Sequence, residues 1–408
     1  MAVFVTDGNQ RAALAVVRAL GRAGIPVTVG ESRPSSLAGA SRFCSKTVCY
    51  PSPEAGGNNF INFLLEEFSK RQYRVVLPVT DISLFSIASA VKLLPPGLQL
   101  PFPDLEHIRR AHDKREVLVL AQQLGIPCPR TLTVEQGNNL GEAGKELGFP
   151  VVIKPRVSRF LRNGHWASGS VQYAIDQKDL IEKYEMVSST LPDPLVQERL
   201  QGEGRGVFLL IWNGELKAAF CHRRLREKPP AGGVSVYCES LPLDGDLVQK
   251  SYELLKRLEW QGVAMVEYKL DRRDGLPKLM EINGRFWGSL QLAVDSGINF
   301  PLLLYRLAVG ADVAPQLEYK TGVRSRWFLG DLDHLWILLT HPRVFNGAEV
   351  AKVPRWQACL NFMKFYERNT HYETLRFDDP SPGWFELKEY LRGGIRGLLS
   401  RSKGSHAH

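Results

Sequence analysis

The residues with the most chemical content lie between Gly262 and Arg285, in the stretch GVAMVEYKLDRRDGLPKLMEINGR. Two strand-like runs, 263–271 and 277–283, flank a turn rich in Arg, Asp and Gly, which predicts a β-hairpin. Side chains alternate between the faces of a strand. On the first strand Ala264, Val266, Tyr268 and Leu270 therefore share one face, and Met265, Glu267 and Lys269 the other. On the second, strict alternation puts Met280 with Ile282, and Leu279 with Glu281 and Asn283. Folding the hairpin about Asp274 brings Glu267 roughly opposite Glu281, with Asn283 two residues further along that face. Facing carboxylates repel, and burial increases the cost. A divalent cation removes the conflict. Two carboxylates and an amide oxygen form a hard-oxygen set suited to Mg²⁺, with Mn²⁺ as an alternative, and phosphates and water complete the shell. The competing reading is an exposed hairpin with a charged outer face, its repulsion softened by Lys269.

Other segments could handle phosphate. Val151-Val152-Ile153-Lys154-Pro155 sets a lysine at the end of an apolar strand, where it either snorkels to solvent or meets a phosphate as a point charge. The loop RFLRNGHWASGS, Arg159 to Ser170, contains Gly164 and Gly169 and could close over phosphates through its backbone amides; a solvated loop is the other reading. Leu195 to Leu200 is an apolar strand that turns polar and runs into Gly202-Glu203-Gly204. Within the segment Cys221 to Ser235, an arginine fork (Arg223, Arg224) suits a carboxylate and Gly232-Gly233 allows close backbone approach. On an extended chain Arg223 and Arg224 point to opposite sides, so one of them faces any site there. A solvated basic loop is the alternative.

These groups need a scaffold. At roughly 150 residues per domain, 408 residues make two to four domains. Residues 1–105 alternate strand and helix: strand at 3–6, turn at 7–10, helix from Arg11 to Ala23, strand at 25–29, helix from Asn59 to Lys70, strand at 74–78. That pattern predicts a parallel sheet flanked by helices, with Thr6-Asp7-Gly8 and Thr80-Asp81 facing a crevice at the strands' carboxyl ends. Glu31 follows the second strand as a ribose-binding acid would, yet TDGNQRA holds one glycine where a dinucleotide fingerprint needs three. Asp104 to Leu124 reads as helix, stopped by Gly125-Ile126-Pro127-Cys128-Pro129. A second α/β region follows to about Gly310, and then a Trp-rich, basic extension in which Arg326, Trp327, His334 and Trp336 receive no role.

The ordered series Asp113-Lys114, Gly125-Ile126-Pro127, Val152-Ile153-Lys154-Pro155, Val196-Gln197-Glu198, Glu267 and Glu281-Ile282-Asn283-Gly284-Arg285 resembles the ATP-grasp superfamily. The nearest branch is similar to carbamoyl-phosphate synthetase and carboxylate–amine ligases, over about residues 1–310. The resemblance implies an N-terminal parallel βα domain (1–105), a two-lobed α+β ATP-grasp core (106–195 and 196–315) and a C-terminal extension (316–408). It implies ATP phosphates on Lys114 and Lys154, adenine at a hinge of Gln197, Glu198 and Leu200, and magnesium on Glu267, Glu281 and Asn283. Arg285, with Lys154, would steady the transferring phosphoryl group. Arg223, Arg224, Gly232, Gly233 and Asp81 would border the substrate. Glu203 or Gly204 stands where a ribose-binding acid is expected, and the loop after Lys154 is richer in Arg and aromatic residues than its counterparts. The implied reaction joins a carboxylate to an amine through an acyl phosphate. Phosphorylation of a carboxylate or carbamate alone, or ATP binding without catalysis, are the alternatives.

The formal net charge of +9 is mostly interspersed with acidic residues, so no nucleic-acid partner is expected. The exception is Trp384 to Lys403, a basic amphipathic stretch with apolar Trp384, Leu387, Leu391, Ile395, Leu398 and Leu399. It reads either as a helix docked on its own domain, interrupted at Gly393-Gly394, or as a weak membrane-surface contact. No apolar run approaches ~20 residues, and the first residues read as strand, turn and helix rather than a signal peptide. Six scattered cysteines without metal-type spacing fit reduced thiols and a cytoplasmic protein. Homodimerisation is compatible with this reading.

Overall fold

A computed structural model describes residues 2–56, 58–133, 140–162, 164–191, 193–341, 344–345, 348–349 and 353–404. The N-terminal βα pattern forms a four-stranded parallel sheet in the order Lys46–Cys49, Val27–Glu31, Ala2–Val5, Tyr73–Leu77. Alternation along these strands divides two apolar layers. Val3, Val5, Val27 and Val29 pack with the helix Arg11–Arg22, while Phe4, Tyr73 and Val76 pack with Phe60, Leu64 and Phe68 of the helix Asn59–Lys70.

The expected single helix over 104–124 is two, Leu105–His112 and Lys114–Gln123. Asp113 separates them: its Oδ1 caps the second helix by accepting the amides of Arg115 and Glu116, a favourable use of aspartate at that position. The cap leaves Lys114 as the first residue of the helix.

A small lobe follows, with a four-stranded antiparallel sheet ordered Thr131–Thr133, Leu195–Glu198, Val151–Lys154, Gln172–Ala174. It has its own core, in which Val151, Ile153 and Val196 meet Leu180, Tyr184 and Val187 of the helix Gln177–Ser188. The Arg159-to-Ser170 segment forms a hairpin, Arg159–Arg162 with His165–Ser168. The strand Leu195–Glu198 lies wholly in this lobe, so the chain leaves it only after Glu198.

The large lobe is a seven-stranded sheet: Pro277–Asn283, Gly262–Asp271, Gly202–Trp212, Glu215–Lys228, Val234–Leu241, Arg324–Arg326, Thr370–Tyr372. Its last two strands come from the C-terminal extension, which is therefore built into the lobe. One face is covered by the helix Gly245–Arg257. The other face shares its core with the N-terminal sheet: Phe208, Trp287, Leu290 and Leu303 cluster with Val3, Ala13 and Val17. The final helix, Ser381–Gly404, runs through Gly393 and Gly394 without the expected interruption. Its first turns are docked, with Trp327 Nε1 donating to Glu386 at 2.7 Å. Among the described residues no helix is long and apolar enough to cross a membrane.

The extension is also locked to the N-terminal helix through Arg18, whose side chain is fully buried. Its Nε lies 2.8 Å from Asp379 Oδ2, and its Nη atoms donate to the carbonyls of Glu373, Thr374 and Asp379. Removing one partner of a buried, multiply bonded ion pair strands the other charge. Arg18→Ala is therefore expected to destabilise the protein by about 3–5 kcal/mol, read as a lowered midpoint in urea unfolding. A loss below about 1 kcal/mol would mean that this pair does not hold the extension in place.

Candidate active site

Between the small lobe and the remainder of the molecule lies a cleft of about 510 Å³. The hairpin of Gly262–Asp271 and Pro277–Asn283 forms its floor, with Glu267 paired directly to Glu281 and Met265 to Asn283. Strict alternation fails at one point. Tyr268 pairs with Leu279, so Met280 is an extra residue in a β-bulge. The bulge sends Leu279 into the core with Tyr268 and Ile282, and puts Met280 beside Glu281 and Asn283 in the cleft. The Tyr268 hydroxyl is hydrogen-bonded to Ser251 at 2.8 Å, anchoring the hairpin's apolar face to the helix beneath it. Gly284 is required where the hairpin ends, since a Cβ there would stand 2.1 Å from the Trp260 ring.

Cations from three other elements meet the two carboxylates. Arg224 Nη2 is 2.6 Å from Glu267 Oε2, and its Nη1 is 3.0 Å from Glu227. Lys114 Nζ lies 2.6 Å from Ser158 Oγ and 3.5 Å from Glu281 Oε2. Lys154, at the end of its strand, is buried; burial and the neighbouring Lys114 push its pKa down to about 8 against the pull of Glu281 and Glu267. Burial raises Glu267, and the repulsion of Glu281 adds to that effect against the pull of Arg224. Burial works in the same sense on Glu281, but Lys114 and Lys154 outweigh it and hold the group below its ordinary range. The Arg285 guanidinium is gripped by Asp81 at 2.7 and 3.2 Å, and its Nη2 lies 3.4 Å from Asn283 Oδ1.

The hinge strand contributes Gln197, whose Nε2 donates to Thr131 Oγ1 at 2.6 Å, and Glu198, which accepts the Arg130 amide at 2.9 Å and pairs with Arg273 at 3.0 Å. Both line the cleft, as do Leu200, Gly169, Gly204, Gly232 and Gly233. A Cβ on Gly204 would come within 2.9 Å of Arg224 Cδ and 3.0 Å of Glu227 Oε1, so glycine admits that ion-pair network.

Four of the residues singled out in the sequence lie elsewhere. Glu203 faces Arg205 and Arg223 at 3.2 and 3.5 Å, outside the cleft. Arg223 pairs with Glu239 at 2.5 Å on the sheet's other face, as the alternation of an extended chain requires. Asp81 stands behind Arg285, bonded also to His112 at 3.1 Å. Gly164 sits at the hairpin turn, packed so closely on Gly56 that a Cβ at Gly56 would strike its carbonyl. Conversely, Arg11, Tyr173, Met265, Met280 and Trp287 line the cleft without a distinctive sequence signal. Ser158 is the exception, because it lies four residues beyond Lys154 and immediately before the phosphate-loop candidate.

The donor set suits a hard divalent cation. Two opposed carboxylates and an adjacent amide oxygen present oxygen ligands on one patch, and each carboxylate already holds a cationic partner. Among the described residues no group of three or more His, Cys, Asp or Glu side chains forms a closed metal cage. A cation here would complete its shell with phosphate oxygens and water, the habit of Mg²⁺.

Residues 190–329, which carry the hinge and the hairpin, match the family described as ATP-grasp in the biosynthetic pathway with Ter operon. The chain has the ATP-grasp fold. It is similar to the carbamoyl phosphate synthase large chain of Methanosphaerula palustris, 23% identical over 62% of this chain, and spans 23% of that relative's length. It is likewise similar to the D-aspartate ligase of Enterococcus faecium, 25% identical over 49% of this chain and 50% of the ligase. An L-amino acid ligase from Bacillus licheniformis superposes with a TM-score of 0.56 at 17% identity, over 76% of this chain and 74% of that one. In an ATP-grasp cleft, a lysine with a depressed pKa gives a pH signature.

A phosphate held by Lys154 would need that amine protonated, and in the free protein the proton is lost as pH rises through about 8. Mg-ATP affinity measured calorimetrically should be level below pH about 8 and fall above it, by up to about tenfold per pH unit. Lys154→Arg, charged throughout, should flatten the profile. A wild-type profile flat to pH 9.5 would remove Lys154 from phosphate binding.

Proposed function

We propose that this protein is an ATP-dependent carboxylate–amine ligase that proceeds through an acyl phosphate and releases an amide, ADP and phosphate. The observation that carries the reading is the opposed pair Glu267–Glu281, with Lys114, Lys154 and Arg285 beside it in one interlobe cleft. Magnesium, or manganese, held by Glu267, Glu281 and Asn283 would supply Lewis-acid neutralisation of phosphate charge. Lys114 and Lys154 place two further positive charges at the same end of the cleft. Arg285, held rigid by Asp81, offers a preorganised donor to a phosphoryl group in transfer.

A substrate carboxylate oxygen attacks the γ-phosphorus as the bond to ADP breaks. An amine nitrogen then attacks the acyl carbon, phosphate departs, and the amine's proton passes to phosphate or solvent. Positioning and electrostatics carry most of the barrier reduction, so no side chain need act as general base. His222 is a poor candidate for one, being buried and driven by burial well below its ordinary pKa. The ligase names of the similar Enterococcus and Bacillus proteins support an amine as the second substrate.

ADP release from Mg-ATP, tested against pooled carboxylates and amines, should require one of each, with a product mass equal to their sum less water. Glu281→Gln should lower kcat more than the roughly 100-fold that loss of a supporting partner costs, with an unchanged circular dichroism spectrum. Turnover near wild type at saturating magnesium would remove the metal assignment. ADP release driven by the carboxylate alone would replace the ligase with an acyl kinase.

A further inference from the structure

A second cavity, of about 390 Å³, lies between the N-terminal sheet and the C-terminal extension. That volume falls within the roughly 300–1,000 Å³ of small-molecule sites. Arg11 is the one residue, among those described, that lines both this cavity and the nucleotide cleft. It is fixed in place: its guanidinium stacks 4.1 Å over the Trp327 ring, pairs with buried Glu373, and donates to the Ser235 carbonyl at 3.3 Å. The same guanidinium would lie 3.0 Å from a Cβ on Gly288, whose backbone lines the cleft. Next to it, Trp287 has a buried indole N–H with no hydrogen-bond partner among the described residues.

The remaining walls carry both signs of charge. Lys228 and Asp333 neutralise one another, and the Tyr390 hydroxyl adds a bond to Asp333. Arg33 is exposed and has no ion-pair partner among the described residues. Glu386 is oriented by Trp327 Nε1, and Glu389, one helical turn further along the same helix, holds an exposed ion pair with Arg392 at 2.7 Å that a ligand's cation can replace at little cost. An arginine at the boundary with the cleft and carboxylates on the extension's wall match a ligand that is anionic at one end and cationic at the other.

We propose that this cavity binds the carboxylate substrate, and that the substrate is a zwitterion of the amino-acid class. Its carboxylate meets Arg11, next to the nucleotide cleft, and its ammonium group faces Glu386 and Glu389. The inference rests on the ligase reading for its chemistry, but binding can be measured without turnover. The C-terminal extension then selects the substrate, while the ATP-grasp lobes activate it.

Nucleotide-free full-length protein would be titrated calorimetrically with each standard amino acid. The amino acid that binds would be repeated as its N-acetyl derivative, which lacks the ammonium charge, and as its methyl ester, which lacks the carboxylate. Each modification should weaken binding about tenfold or more, as should Glu389→Lys and Arg33→Glu, two exposed changes. Mg-ATP affinity should stay the same in both variants. Equal binding of the N-acetyl form, unchanged binding in both variants, or no binding by any standard amino acid would overturn the assignment. If carboxylates drive ADP release in wild type and the two variants behave identically, the cavity assignment falls and the ligase stands. If amino acids bind as described but no substrate mixture releases ADP, the ligase reading falls and the site stands.

Discussion

Two carboxylates set directly opposite each other on a hairpin impose the condition that the rest of the cleft satisfies. At an effective dielectric near 20, unit charges about 4 Å apart repel by about 4 kcal/mol, more than most single contacts contribute. Glu267 and Glu281 are relieved from three directions. Arg224 comes from the neighbouring long strand, Lys114 from the first turn of a capped helix, and Lys154 from the end of a small-lobe strand. Each cation is useless to the pair unless its own element is in place, so the charge arrangement couples the hairpin to elements on both sides of the cleft. A hairpin that needed only to be stable would carry apolar or alternating charges at these positions. Under the proposed function, a divalent ion bound to phosphate would relieve that repulsion.

The division of cores fits the nucleotide chemistry proposed for such a cleft. The N-terminal sheet and the large lobe share one continuous apolar cluster, whereas the small lobe packs on itself. Lys154, Gln197 and Tyr173 ride on the small lobe, while Glu267, Glu281 and Arg285 ride on the shared-core body. The covalent path out of the small lobe runs from Glu198 to Gly202, beside the entry path that precedes Thr131. Across it stands a cluster in which Glu198 meets Arg130 from the small lobe and Arg273 and Lys278 from the large lobe. Such clusters position elements more than they stabilise them, which suits a hinge.

Much of this was legible in the sequence wherever a period or a short motif encoded it. The βα alternation, the facing of Glu267 and Glu281, and the end-of-strand Lys154 all follow from local patterns that the structure reproduces. The failures are equally physical. A one-residue bulge at Met280 has no compositional signature, yet it exchanges the faces of Leu279 and Met280. Alternation assigned Arg223 and Arg224 to opposite sides but could not say which side held the cleft, because that depends on which strands flank them. Glu203 and Gly204 present the same ambiguity. Asp81 was placed correctly at a strand's carboxyl end, but its proximity to Arg285 spans 204 positions in sequence and no local pattern reports such a contact.

The C-terminal extension was the least legible part, for a reason that bears on its role. Its contributions to the large sheet are strands of three residues, too short for a period to register. Its strongest tie to the body, Arg18 with Asp379, joins positions 361 apart. An arginine in a helix and an aspartate in a loop look solvent-facing in isolation, and only the assembled fold buries both. Burial of that kind is costly unless every polar atom finds a partner, and here the guanidinium is met by three carbonyls and a carboxylate. A merely appended helix would not require so complete an anchor. Setting Trp327 against Arg11, on the boundary of the interlobe cleft, is such a requirement under the proposed function, because a side chain that shapes a reacting centre must be held to within about 0.5 Å. The anchoring of the extension is thus better explained by what it brings to the cleft than by the stability it adds.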